Sequence, residues 1–221
     1  MFAVRIRSIK SVRVESFADD WSQLRNRLIN HVERADKYEG DLYSPVVYAD
    51  GANRGNAGVR FINALVIDLD GESLDRALPN LIGLEWIAYT TYSHSADDPH
   101  WHLVLPLSTP VAVDDWHGVW LDAHDRLNLS GDPQTKDPAR IFFLPQCAPN
   151  AEREVLFGSG DWFVPRAAHV PIRKRSSVES ESVAFIPESF WDQPTDMSWC
   201  AGMTKQEAFK LARERLKMLR M

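Results

Sequence analysis

The chain has few cysteines and no long hydrophobic runs. Cys147 and Cys200 are the two cysteines among 221 residues. So distant a pair cannot build a cysteine-rich zinc site or a disulfide framework, and we expect a reducing, cytoplasmic setting. The longest apolar runs, such as 64–67, are far shorter than the ~18 residues of a membrane helix. The start of the chain also lacks the apolar core of a signal peptide, so we expect no membrane partner.

The chain also has no excess of positive charge. The 25 Lys and Arg residues face 31 Asp and Glu residues, a formal net charge of −6. This balance argues against a globally basic nucleic-acid binder but permits a local basic groove or an acidic cluster that holds cations. Eight Trp and ten Phe residues exclude intrinsic disorder for most of the chain.

The spacing of apolar residues predicts an α+β fold with a mostly antiparallel sheet. In this prediction, Asp19 or Asp20 caps the first helix. The predicted strands are 2–6, 45–48, 63–69, 84–92, 100–107, 140–144 and 154–164, and the predicted helices are 19–33, 73–81 and 114–127.

A change in composition after Pro165 predicts the domain organisation. Residues 1–165 form the main domain, with its core at about 57–165. The polar, Ser-rich segment 166–182 is a predicted linker. Residues 183–221 are a predicted helical appendage, in which apolar residues follow helical spacing.

The most specific local pattern is a buried strand, LVIDLDG, that ends in two carboxylates. Residues i and i+2 of a strand project from the same face, so Asp68 and Asp70 stand side by side and repel each other. A divalent cation removes that repulsion, because Mg²⁺ and Mn²⁺ take carboxylate oxygens as ligands. The alternative is two solvated carboxylates at the end of a strand.

A histidine pair opens the strand over 100–107. His100 and His102 share one face, while Trp101 lies on the other. Such a pair can bind a metal directly or donate hydrogen bonds to phosphate. The alternative is a rim of exposed histidines.

A turn-rich loop over 130–139 adds Asp132 and Asp137 just before a strand that opens with Arg140. One more carboxylate would complete a three-acid cation site, and an arginine fork suits triphosphate oxygens. The alternative is that Asp137 caps a turn and pairs with Arg140.

Together the three segments resemble the archaeo-eukaryotic primase superfamily, and within it the primase-polymerase domains of phages and plasmids. Their first motif is an apolar strand ending in D-x-D or D-x-E, here VIDLD. Their second is a polar-x-His at a strand start, here 100–102. Their third is an acid upstream of a basic strand, for which the spacing favours Asp132 over Asp137. The resemblance spans about 45–165.

This resemblance implies an RRM-like sheet with helices on one face and the acids on the other. It implies a DNA primase or DNA-dependent polymerase of phage or plasmid replication that joins nucleoside triphosphates on a single-stranded DNA template by a two-metal mechanism. A helicase or replisome partner would act in trans. By this resemblance Asp68, Asp70 and Asp132 hold Mg²⁺ or Mn²⁺, and His102, Arg140, His100 and Ser93 bind the nucleotide.

Two other functions stay open. A rolling-circle or relaxase nuclease carries a His-hydrophobic-His metal motif, which 100–102 fits. All five tyrosines lie upstream of that pair, however, and the two acids of VIDLD would have no role. A non-catalytic nucleic-acid-binding replisome module would differ from both enzymes because it shows no metal-dependent nucleotide incorporation.

Overall fold

The computed structural model describes residues 1–166. The predicted C-terminal helix, and the predicted linker beyond Arg166, lie outside these residues. The described part holds two α-helices, α1 (Trp21–Leu28) and α2 (Val113–Leu127). Its strands are β1 (Ala3–Ile6), β2 (Glu15–Ala18), β3 (Val32–Glu33), β4 (Leu42–Ser44), β5 (Val46–Tyr48), β6 (Val59–Asp70), β7 (Trp86–Thr90), β8 (His100–Ala112), β9 (Phe142–Phe143), β10 (Gln146–Cys147) and β11 (Val155–Gly158).

The strands form two antiparallel sheets and one small parallel pair. The larger sheet has the order β11-β7-β8-β6-β5, and the second has the order β2-β1-β4-β9. Every pairing within these two sheets is antiparallel, whereas β10 pairs with β3 in parallel. The predicted mixture of helices with mostly antiparallel strands is confirmed.

The central strand β6 divides the core, because successive side chains point to opposite faces. Leu65 and Ile67 pack in the cluster that contains the apolar side of α2. Ala64 and Val66 pack in the cluster that contains Leu24 and Leu28 of α1. The expectation that helices cover only the face opposite the acids is therefore wrong, since α1 covers the apolar end of the acids' own face.

Some predicted elements change where tertiary pairing outweighs local preference. The first helix is capped by Asp20, whose carboxylate accepts a hydrogen bond from the Gln23 amide at 2.8 Å. It ends at Leu28, not at residue 33, because Val32 donates a backbone hydrogen bond to Pro145 and joins β10. The predicted helix 73–81 is two 3₁₀ turns, Leu74–Arg76 and Leu78–Asn80.

No helix within residues 1–166 combines the length and the apolar character that a bilayer crossing requires.

Candidate active site

The two acids and the two histidines meet across neighbouring strands. In the antiparallel pairing of β6 with β8, Asp68 lies opposite His102 and Asp70 lies opposite His100. Directly opposed residues of such a pair have Cβ atoms about 4.5–5.5 Å apart, so their side chains interact. The sequence motifs are therefore two rungs of one ladder, each pairing a carboxylate with an imidazole.

The outer rung joins His100 to two carboxylates. Its Nδ1 lies 2.7 Å from Asp70 Oδ1, and its Nε2 lies 3.0 Å from Asp98 Oδ2. Partial burial lowers the pKa of His100, but the hydrogen bonds and charges of Asp70 and Asp98 outweigh burial and raise that pKa above its ordinary value. The site therefore favours the imidazolium form, with both ring N–H groups donating.

The inner rung joins Asp68 to His102, which is largely buried. His102 Nε2 lies 3.4 Å from Asp68 Oδ1. Burial acts to raise the pKa of the Asp68 carboxyl, but the interaction with His102 and the charges of Arg140 and His100 hold the pKa below its ordinary range. Asp68 is therefore an anion that basic side chains compensate.

Tyr89 of β7 orients the His102 ring, and the motifs give no signal for it. The Tyr89 hydroxyl lies 2.9 Å from His102 Nδ1 and donates to the Phe143 carbonyl at 2.9 Å. Because a carbonyl only accepts, we assign the proton between Tyr89 and His102 to Nδ1. Nε2 then faces Asp68. The role depends on β7 lying opposite β8, which places Tyr89 opposite His102.

The loop after α2 delivers the third acid. The Asp132 amide donates to the Asp68 carbonyl at 2.8 Å, which ties the loop to the end of β6. Asp132 Oδ1 accepts from the Gln134 amide at 2.9 Å and caps the 3₁₀ turn Pro133–Lys136. Asp132 Oδ2 lies 3.4 Å from an Arg140 guanidinium nitrogen. The ion partner of Arg140 in this loop is therefore Asp132.

Asp137, the alternative third acid, has a different environment. Its carboxylate accepts from the Ala139 amide at 3.2 Å. It lines a small crevice with Trp116, Pro138 and Arg140, and neither acid of β6 lines that crevice.

One cavity of about 460 Å³ brings the predicted site residues together. Lys37 and Gln134 also line it and contact predicted site residues, although the motifs did not indicate them. The Lys37 ammonium donates to Ser93 Oγ at 3.3 Å, and Gln134 accepts from Arg140 at 2.7 Å. The predicted residues on the cavity wall are Asp68, Asp70, Ser93, His100, His102, Asp132 and Arg140.

The three acids offer hard oxygen ligands, the type that Mg²⁺ and Mn²⁺ prefer. In the part of the chain that the structure describes, no three His, Cys, Asp or Glu side chains cluster as closely as a metal site requires. Asp68, Asp70 and Asp132 instead each face a basic side chain. The carboxylate oxygens are of the type that suits a divalent cation, and in this arrangement they are paired with basic side chains.

Comparison with known protein families assigns the chain to one of them. The profile of the family described as the VapE N-terminal domain matches residues 49–168, more than half of the chain. The chain belongs to the VapE N-terminal domain family. All seven predicted site residues lie inside the matched range of this VapE N-terminal domain. No curated protein matches the chain.

A solved structure is also similar to this VapE N-terminal domain. It is the AEP domain of the cyanophage S-2L primase-polymerase, with 15% sequence identity and a TM-score of 0.42. The alignment covers 74% of this chain and 85% of that one. That structure comes from a phage primase-polymerase, the type of protein that the three motifs resemble.

Proposed function

We propose that this chain is a DNA primase or DNA-dependent polymerase of phage or plasmid replication, joining nucleoside triphosphates on a single-stranded DNA template. One observation carries the proposal: Asp68, Asp70 and Asp132 line a single cavity together with His100, His102 and Arg140. Carboxylates that hold cations, next to basic groups that hold phosphates, are what nucleotidyl transfer requires. The five-stranded sheet would be the RRM-like half, and a helicase or another replisome protein would act in trans.

Asp68, Asp70 and Asp132 would hold two Mg²⁺ or Mn²⁺ ions. Such ions, when bound, lower the pKa of the attacking hydroxyl and neutralise the leaving pyrophosphate. The backbone hydrogen bond from the Asp132 amide to the Asp68 carbonyl keeps Asp132 beside Asp68 and Asp70. Each acid is paired with a basic side chain, so a cation would take the place of that partner or share the acid with it.

The basic partners would then turn to the nucleotide. His100 Nδ1 is bonded to Asp70 and Nε2 to Asp98, so a cation that took Asp70 would free the Nδ1–H group to donate to a phosphate oxygen. Because Nδ1 donates to Tyr89, His102 Nε2 would leave Asp68 and donate to the triphosphate with both ring nitrogens protonated. Arg140 supplies a planar fork that suits phosphate oxygens. Ser93 would make a weaker contact at the Lys37 side of the cavity.

The relaxase alternative fits this geometry less well. It needs an accessible tyrosine as nucleophile. Tyr92 lines the same cavity, but its hydroxyl donates to the Ala35 carbonyl at 3.1 Å, and the tyrosine in contact with His102 is Tyr89. Tyr89 is buried, donates its hydroxyl proton to the Phe143 carbonyl, and has a pKa that burial raises well above the ordinary value. Such a hydroxyl is a poor nucleophile, because its anion is costly to form.

A nucleotide-incorporation assay tests the proposal. The full chain is incubated with single-stranded template, Mn²⁺ or Mg²⁺, and either ribo- or deoxynucleoside triphosphates, with and without a primer. We expect metal-dependent extension or de novo synthesis directed by the template. Covalent attachment of the DNA to the protein would support the nuclease instead, and DNA binding without incorporation would support the non-catalytic module.

His102→Ala separates a phosphate contact from a metal ligand. A hydrogen bond to a charged group contributes about 1.5–3 kcal/mol, so nucleotide binding should weaken by roughly 10- to 100-fold. Mn²⁺ affinity without nucleotide should change little, because Asp68 loses only a competing partner. Mn²⁺ titrations with and without a nucleoside triphosphate measure both quantities, and His117→Ala, an exposed position on α2, is the control.

Loss of Mn²⁺ binding in His102→Ala without nucleotide would contradict this role. Imidazole would then be a ligand of the ion itself, as it commonly is for transition metals.

A further inference from the structure

Glu72 follows the two acids of β6 but does not line the cavity that all three acids share. Gly71 has a φ of +68°, a left-handed conformation that glycine adopts without strain, and it reverses the chain after Asp70. The Glu72 side chain is only 14% exposed. It lines a second cavity together with Asp70 and Asp132, two of the three acids, and with Arg76, Ser130 and Gly131.

The Glu72 carboxylate holds the loop that carries the third acid. Its Oε2 accepts hydrogen bonds from the backbone amides of Ser130 at 3.2 Å and Gly131 at 3.3 Å. Its Oε1 accepts from Arg76 at 2.9 Å. The next amide along the loop, that of Asp132, donates to the Asp68 carbonyl. Three consecutive amides of the loop are thus bound: two donate to Glu72, just after β6, and the third donates to Asp68, near the end of β6.

The loop is also confined from the side of α2. Gly131 has a φ of +55°, and a Cβ atom there would lie 2.7 Å from the buried His124 ring. With this contact on one side and Glu72 on the other, the direction in which the loop presents Asp132 is determined by its anchors.

We propose that Glu72 is a positioning residue: it holds the 130–132 loop so that Asp132 joins Asp68 and Asp70 at one cation site. The inference rests on the proposed metal role of these acids. Glu72 Oε2 accepts from two backbone amides of the loop, which cannot turn away from it as a basic side chain can, so we assign Glu72 to the support of the loop. The short segment 68–72 therefore carries two of the proposed metal ligands and the support for the third.

Mn²⁺ binding, measured by calorimetry in the absence of nucleotide, tests this role. Loss of a residue that orients a metal ligand typically costs 10- to 100-fold in affinity, so Glu72→Ala should bind Mn²⁺ at least about tenfold more weakly. Glu72→Gln should lie between, because its amide oxygen still accepts from the loop. Arg76→Ala, which removes the ion pair and leaves the loop bonds, should bind Mn²⁺ as the wild type does.

A double-mutant cycle identifies the route of the effect. If Glu72 acts through Asp132, Glu72→Ala should add nothing to the loss caused by Asp132→Asn, since residues that act as a unit are not additive. Hydrogen exchange should also speed up at amides 130–132 in Glu72→Ala, with thermal unfolding still cooperative.

Three results would overturn the inference. Wild-type Mn²⁺ affinity in Glu72→Ala would show that the loop does not need this anchor. Fully additive losses in the double mutant would make Glu72 an independent ligand. Unchanged exchange at 130–132 would remove the physical link. Failure of the proposed function is a separate outcome, in which the wild-type protein itself binds no Mn²⁺.

Discussion

Replacing Asp68 and Asp70 together by asparagine should abolish nucleotide incorporation. Both side chains keep their size and lose the charge that a divalent cation requires. Cations at such a site stabilise the transition state by several kcal/mol, and each ~1.4 kcal/mol corresponds to a factor of ten in rate. We therefore expect a loss of about a thousandfold or more in a primer-extension assay with Mn²⁺.

A matched control removes the same charge elsewhere. Asp114→Asn with Asp115→Asn also deletes two neighbouring acids, but these are exposed in the first turn of α2 and do not line the cavity. This variant should extend primers at nearly the wild-type rate. Incorporation that persists in the Asp68/Asp70 variant would show that the metal-site assignment is wrong.

The structure also changes the stability expected of the Asp68/Asp70 variant. From the sequence alone, removal of two adjacent like charges should leave stability level or raise it slightly, because repulsion is relieved. In the structure each acid has a histidine partner. Hydrogen bonds to charged groups contribute about 1.5–3 kcal/mol when buried, which applies to Asp68, whereas the exposed Asp70 pair contributes about 0–1 kcal/mol. Urea unfolding without metal should therefore show a modest loss.

The candidate site shows which features a sequence can predict. The same-face rule for strands is local, so it correctly placed Asp68 beside Asp70 and His100 beside His102. Whether the acid pair lies opposite the histidine pair depends on the register of the two strands. That register is decided by the packing of both sheet faces. Tyr89 depends on the same nonlocal pairing, and no motif could indicate it.

For Asp132, a sequence pattern indicates the residue itself but not the residue that supports it. The spacing between an acid and a basic strand start pointed to Asp132, and Asp132 does line the cavity with Arg140. Its support is different, because Glu72 meets the Ser130 and Gly131 amides across 58 and 59 residues of sequence. Backbone hydrogen bonds of this kind leave no residue pattern, since any residue can donate them.

The ends of helices and the shortest strands are harder to predict, because the conformation of a short segment depends on the elements that it pairs with. Val32 continues the apolar spacing of α1 and was predicted as helical. His31 instead contacts the Thr90 carbonyl at 2.8 Å, and Val32 pairs with Gln146 of β10. A parallel pair of two residues contributes little by itself, so its position follows from the elements around it.

Asp132→Asn should cost far more activity than Asp137→Asn. Asparagine at 132 still accepts from the Gln134 amide and caps the 3₁₀ turn, so the loop keeps its shape while the anionic Oδ2 is lost. A ligand contribution of about 3 kcal/mol corresponds to a loss of roughly a hundredfold. Asparagine at 137 likewise keeps the bond to the Ala139 amide, and that side chain faces a separate crevice.

Both asparagine variants lose one charge and keep one local hydrogen bond, so each controls for the other. Mn²⁺ affinity should fall in Asp132→Asn and stay at the wild-type value in Asp137→Asn, and primer extension should follow the same order. The reverse order would transfer the third ligand to Asp137 and shift the third motif by five positions. It would also require the loop to move, because in this structure the Asp132 amide is bonded to the Asp68 carbonyl and only Asp132 lies beside the strand acids.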